Sequence, residues 1–136
     1  MNIMFSGNHT VKELSPAVIQ MIDRIVIGNH KVVVGDCSGV DRLVQDELKA
    51  RGYNNVRVVH IKSEPRYNAG FEMVQISGKK QTDKDRAMCK WADVGVCVFH
   101  RQRGKGGTGR NLDDLQKQGK TAVIVVNEKY EVIKAN

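Results

Sequence analysis

Two stretches of this chain carry residues whose types and spacing suit chemistry. In "GDCSGVD", Asp36 closes an apolar run and Asp41 falls in what reads as the first turn of the next helix. Two carboxylates so placed can hydrogen-bond ribose hydroxyls or perform acid/base work at a glycosidic centre. A plainer reading stands beside this one, because an acidic residue in a first turn complements the helix dipole and Asp after a strand often builds a turn. Asp36 taken together with Gly39 favours function over a simple turn.

The second stretch is "HRQRGKGGTGRNLDDLQ", His100 to Gln116. Glycines ahead of a helix let backbone amides approach an anion, and the helix N-terminus adds unpaired N–H groups and partial positive charge. A phosphate is therefore expected at Gly106, Gly107 and Thr108, with Arg101, Arg103, Lys105 and Arg110 supplying attraction. The order is not that of a P-loop, since "GKGGTG" lacks GxxxxGK[ST]. Ser6 and Gly7 in "SGNHT" either present amides to a phosphate or turn the chain. In "TDKDR" the spacing of Thr82 and Asp85 predicts a capping box, with Asp83 on the dipole and Lys84 and Arg86 on a solvated face.

The elements that must position these residues alternate. Short apolar runs "NIMFSG", "KVVVGD", "VRVVHI", "VGVCVF" and "TAVIVV" predict strands, and "YEVIK" a short edge strand. Between them, "SPAVIQMIDRIVIGN" predicts a helix with Ser15 as N-cap, Pro16 at its first position and Gly28 as its stop. "VDRLVQDELKARGY", "TDKDRAMCKWA" and "TGRNLDDLQKQG" predict three more, with Val40, Leu43, Val44 and Leu48, then Met88, Trp91 and Ala92, then Leu112 and Leu115 facing inward. Residues 62–81 have no sustained period and read as a long loop, expected to act as a lid hinged between Pro65 and Gly70. The alternation predicts a single α/β domain over residues 1–136, a Rossmann-like three-layer fold with a mainly parallel sheet of about five or six strands. Ligands in such folds bind beyond the carboxyl ends of the strands, where the loops named above gather.

Composition narrows the function classes. The chain has 136 residues, 40% hydrophobic and 27% charged, with a formal net charge of +7. That charge favours an anionic partner, a phosphorylated small molecule or nucleic acid, while aromatics at 5% are too sparse for a single-strand stacking platform. The N-terminal "MNIMFSGNHT" lacks the pattern of a signal peptide and no apolar run approaches a membrane span, so a cytoplasmic protein with no membrane partner is expected. Cys37, Cys89 and Cys97 have no CxxC spacing and read as buried hydrophobes in a reducing compartment, with Cys37 set apart because it follows a strand end, where ligands gather. His9, His30, His60 and His100 are scattered, so neither a metal nor a resident cofactor is expected.

The segments "GDCSGVDRLVQ", "PRYNAG", "KDRAMCKWAD" and "GGTGRN", in this order and spacing, resemble a small single-domain branch of the SLOG superfamily, the Rossmann-like group that includes LOG-type cytokinin-activating phosphoribohydrolases and the DNA-processing protein of natural transformation. The resemblance runs from Ile3 to about Val126. It implies a nucleotide or nucleotide-derived ligand held by Ser6, Gly7, Gly35, Asp36, Gly39, Asp41, Arg66, Asn68, Lys84 and the Gly106 to Thr108 loop. LOG-type enzymes carry a catalytic glutamate and an arginine at positions that match Asn111 and Asp85 here. An amide cannot serve as a general base. The resemblance therefore implies a sensor, sponge or carrier for the ligand first. An N-glycosidase acting on a nucleoside monophosphate through Asp36, Asp41 or Asp85 comes second, and DNA binding third. A homo-oligomer is also expected.

Overall fold

A computed structural model describes residues 1–104 and 106–134. Among these, seven strands and four helices alternate: β1 (Asn2–Gly7), α1 (Pro16–Ile27), β2 (Lys31–Val34), α2 (Val40–Ala50), β3 (Val56–His60), β4 (Glu72–Gln75), α3 (Gln81–Trp91), β5 (Val94–Phe99), α4 (Gly106–Lys117), β6 (Thr121–Val126) and β7 (Lys129–Ile133). The strands form one sheet in the order β4-β3-β2-β1-β5-β6-β7, all parallel except the final β6–β7 hairpin.

The side-chain alternation of the strands builds two cores. Ile3, Phe5, Val32, Val34, Val56, Val58, Val96 and Val98 face α1 and α2. Met4, Val33, Val59, Cys97, Phe99 and Ile124 face the other way, onto Met88 and Cys89 of α3 and Leu112 and Leu115 of α4. Both faces of β1 are covered, which is why it carries an unbroken buried run from Ile3 to Ser6. The expected α/β three-layer architecture is thus present.

Three local expectations change. The sheet has seven strands rather than five or six, because β4 forms inside the stretch expected to be a loop and pairs Arg57 to His60 with Glu72 to Gln75. Helix α3 starts at Gln81, not Thr82, since the Asp83 carboxylate accepts the backbone N–H groups of Lys79 and Lys80, 3.2 Å each. Trp91, expected inside, is 38% exposed, and Cys89 fills the core position instead.

Candidate functional site

Strand β1 is the pivot of the sheet. Its neighbours β2 and β5 are reached by connections that leave in opposite directions, which opens a crevice beyond their carboxyl ends. A cleft of about 380 Å³ occupies this place, lined among others by Ser6, Gly7, Gly35, Asp41, Arg66 and Lys84. Asp85, Gly106, Gly107, Thr108 and Asn111 line it from the α3 and α4 side. The first turns of α3 and α4 therefore meet at one wall.

The glycines read as a loop are the first turn of α4, which begins at Gly106. Amides of a first turn have no intrahelical acceptor, so those of Gly106, Gly107 and Thr108 are available to a ligand. A Cβ on Gly107 would stand 3.9 Å from Arg110 Nη2 and 4.0 Å from Asp85 Oδ2, in ordinary van der Waals contact with two side-chain ends at the cleft wall. Arg101, Arg103 and Arg110 are exposed, and Lys105 lies outside the described residues. Thr108 and Asn111 are buried, and Asn111 Nδ2 donates to Ser6 Oγ at 2.7 Å, tying α4 to β1.

The acidic side of the cleft is an ion network. Asp36 is 3% exposed and its carboxylate is fully engaged: Oδ1 accepts Arg66 Nε, Arg66 Nη2 and Lys84 Nζ at 3.2, 2.8 and 3.3 Å, while Oδ2 accepts the Arg66 backbone N–H at 2.8 Å. Burial alone would raise its pKa, but the Arg66 side-chain and backbone hydrogen bonds and the charges of Lys84 and Arg66 hold it down to about 2. Asp41 is 7% exposed, and its Oδ2 accepts the Cys37 N–H at 3.2 Å. Burial pushes Asp41 up to about 6 against the pull of Lys84 and the Cys37 hydrogen bond, with Asp85 and Asp36 adding to the rise. Asp85 is raised too, mainly by burial.

Lys84, read as a solvated-face residue on spacing alone, is buried at 3% exposed and reaches across to Asp36. The register of α3 explains it. With Asp83 holding the helix start, Lys84 and Met88 turn inward on one stripe and Asp85 faces the cleft instead of capping the helix. Gly35, the residue after β2, is the counterpart: a Cβ there would fall 2.6 Å from Asp41 Oδ2 and 2.8 Å from Lys84 Nζ, so the carboxylate and the ammonium close over its bare Cα. Gly39 has φ +79, and a Cβ would strike the Asn8 and His9 backbone at 2.4 to 2.6 Å. It turns the chain tightly beneath the β1–α1 loop and lies behind the cleft lining.

Arg66 lines the cleft, but Asn68 does not. The Asn68 Oδ1 accepts the N–H groups of Gly70 and Phe71 and its Nδ2 donates to Phe71 O, which makes it the organiser of the turn into β4. The segment expected to be a lid is held at two points: the Arg66 N–H donates to Asp36 Oδ2 at 2.8 Å, and the Ala69 N–H donates to Gln45 Oε1 at 2.9 Å. Gln45 was missed by sequence reasoning. It is fully buried, donates from Nε2 to Gly35 O at 2.9 Å, and so links α2, β2 and the Arg66 segment. Its signal was readable, since Asp41 and Gln45 are polar residues one turn apart on the buried stripe of Val40, Val44 and Leu48. Asn8, His9 and Gln81 also line the cleft without having been singled out for it, and Cys37, marked out by its place after a strand end, lines it too. Among the described residues, no helix is long and apolar enough to cross a membrane. No family model, curated protein or solved structure matches the chain.

Proposed function

We propose that the protein binds a nucleotide or nucleotide-derived ligand in this cleft, as a sensor, sponge or carrier working in the cytoplasm. The observation that carries the reading is the meeting of the free first turn of α4 with Lys84 and Arg66 around about 380 Å³, a volume within the range of small-molecule sites. In this reading the phosphate lies on the amides of Gly106, Gly107 and Thr108, and the ribose lies toward Ser6, Gly7 and Asp41. Asp36 acts behind the ligand, as the residue that positions Arg66 and Lys84. Burial raises Cys89 and Cys97 to about 12, so both thiols stay protonated and act as core side chains rather than as nucleophiles.

Gly107→Val tests the reading, because its Cβ at the cleft wall would meet only the ends of the Arg110 and Asp85 side chains, at ordinary contact distance. Calorimetric titration with AMP, ADP-ribose and inorganic phosphate is expected to show binding to the wild type and none to Gly107→Val, with an unchanged thermal melt. Equal affinity in both proteins overturns the placement of the phosphate. Mass spectrometry of small molecules released on denaturing the purified protein identifies the base.

A second reading, cleavage of an N-glycosidic bond, is favoured by one observation. Asp36 and Asp41 are pushed to opposite ends of the carboxylate range in one site, to about 2 and about 6. In that reading Asp41 or Asp85 is the proton carrier. Chromatographic release of free base from a nucleoside monophosphate, lost in Asp41→Asn with binding retained, would establish it.

A further inference from the structure

Strand β7 is the outer strand of the hairpin and, among the described residues, has a strand partner on one side only. The hairpin has a two-residue loop, Asn127–Glu128, with positive φ at Asn127, closed by the pair Val126 and Lys129. The closing pair of such a loop exchanges both its backbone hydrogen bonds, and pairs alternate from there. Lys129, Glu131 and Ile133 therefore turn their backbone groups toward β6. Tyr130 and Val132 turn theirs outward.

Edge strands are normally guarded by proline, a bulge or an inward charge. The β7 sequence "KYEVI" has no proline, and its register with β6 is unbroken over all five pairs, Val126 with Lys129 through Ala122 with Ile133. Its side chains are exposed as well. Tyr130 and Val132 are 56% and 46% exposed on the α1 face, beside a groove of about 100 Å³ floored by Ala17 and Met21. The only charges within the strand are one of each sign, Lys129 and Glu131.

We infer that β7 pairs antiparallel with β7 of a second copy of this chain, with Tyr130 opposite Tyr130. Outward-facing residues must meet each other, which leaves a few symmetric registers to compare. Placing Tyr130 opposite Val132 sets Glu131 against Glu131. Placing Val132 opposite Val132 sets Glu131 against Ile133 and Tyr130 against Lys134. Placing Tyr130 opposite Tyr130 sets Lys129 against Glu131 twice, by symmetry, leaves Val132 opposite Glu128 of the turn, and brings the two tyrosine rings side by side over the groove. This last register alone is charge-complementary, and cross-strand pairs of this kind stabilise a sheet.

Three paired residues from each copy, Lys129 to Glu131, form a ribbon that is small beside the roughly 1,200 Å² of a durable interface, so the dimer dissociates on dilution. The two-fold axis runs through the sheet, which sends the carboxyl-end rims of the two copies to opposite edges. Each copy keeps its own complete cleft.

Sedimentation equilibrium of the full chain from micromolar to millimolar concentration tests the inference. Wild type is expected to dimerise. Glu131→Lys turns both attractive pairs repulsive and weakens the dimer by roughly tenfold or more. Lys129→Glu combined with Glu131→Lys exchanges the signs and restores wild-type association, which also shows that the single variant failed by charge rather than by misfolding. A monomer at all concentrations overturns the inference. So does a dimer that Glu131→Lys leaves unchanged, for instance one built on the opposite edge at β4, and so does a double variant no better than the single one.

Discussion

Asp36 and Asp41 flank the same short turn and share Lys84 as a neighbour, yet only Asp36 receives direct hydrogen bonds from cations. The difference sets opposite pH dependences. Asp36 binds its proton less tightly in the folded state, so its contribution is present above the ordinary value of 3.8 and is lost as pH falls toward about 2. Asp41 binds its proton more tightly when folded, so stability falls as pH rises from 3.8 through about 6 and is level above that. Asp41→Asn keeps an acceptor for the Cys37 N–H and removes the ionisation. Urea unfolding at neutral pH is expected to show the variant more stable than wild type by at most about 3 kcal/mol, and the loss of stability between pH 4 and 6 to disappear. A variant with the wild-type pH profile would place that proton elsewhere. Spacing alone made both aspartates visible as site candidates, but the partners that separate them come from distant parts of the chain, Arg66 and Lys84. That is why Lys84, flanked by other charged residues in "TDKDR", read as solvated.

At the scale of the element, the hydrophobic period exposed most of what mattered and failed where the period was short or mixed. Helix α1 follows its punctuation, from Ser15 and Pro16 to Gly28. Strand β4 was invisible because "EMVQ" is an edge strand with mostly exposed side chains, so no apolar alternation marks it. Its presence changes what the Arg66 segment does. The segment is anchored at one end by β4 pairing with β3, and in its middle by Asp36 and Gln45. Amide hydrogen exchange of the ligand-free protein is therefore expected to show the Arg66 and Ala69 N–H groups protected, and Asp36→Asn, which weakens the acceptor of three Arg66 hydrogen bonds, to lower protection at Arg66 first. Free exchange at both amides in wild type would restore the hinged lid.

For the whole molecule, the alternation of strand and helix was enough to specify three layers and to place the cleft at the carboxyl rim, because parallel pairing leaves few alternatives. The formal charge of +7 was legible too, but not its arrangement. The cations of the cleft are interleaved with Asp41 and Asp85 and backed by Asp36, which suits a compact ligand carrying few phosphates better than a long polyanion. Nucleotide affinity is accordingly expected to fall only gently between low and physiological salt, with a log–log slope of about −1 to −2. A DNA partner contacting many phosphates would give a slope several times steeper. Fluorescence anisotropy of labelled AMP and of a labelled oligonucleotide across a salt series separates the two.

The position of β1 also bears on how the chain is made. Of the seven described strands the earliest to be synthesised is the central one, and one of its edges, Ile3 to Gly7, waits for Val94 to Val98 before it is paired. Until then the nascent chain has β1 to β4 and the helices that cover one face, with an apolar edge open and Met4 and Val33 uncovered on the other face. Folding is therefore gated by the length synthesised rather than by any local element. During translation of the α3 region this chain presents its most adhesive surface, the one a chaperone or another nascent copy would meet.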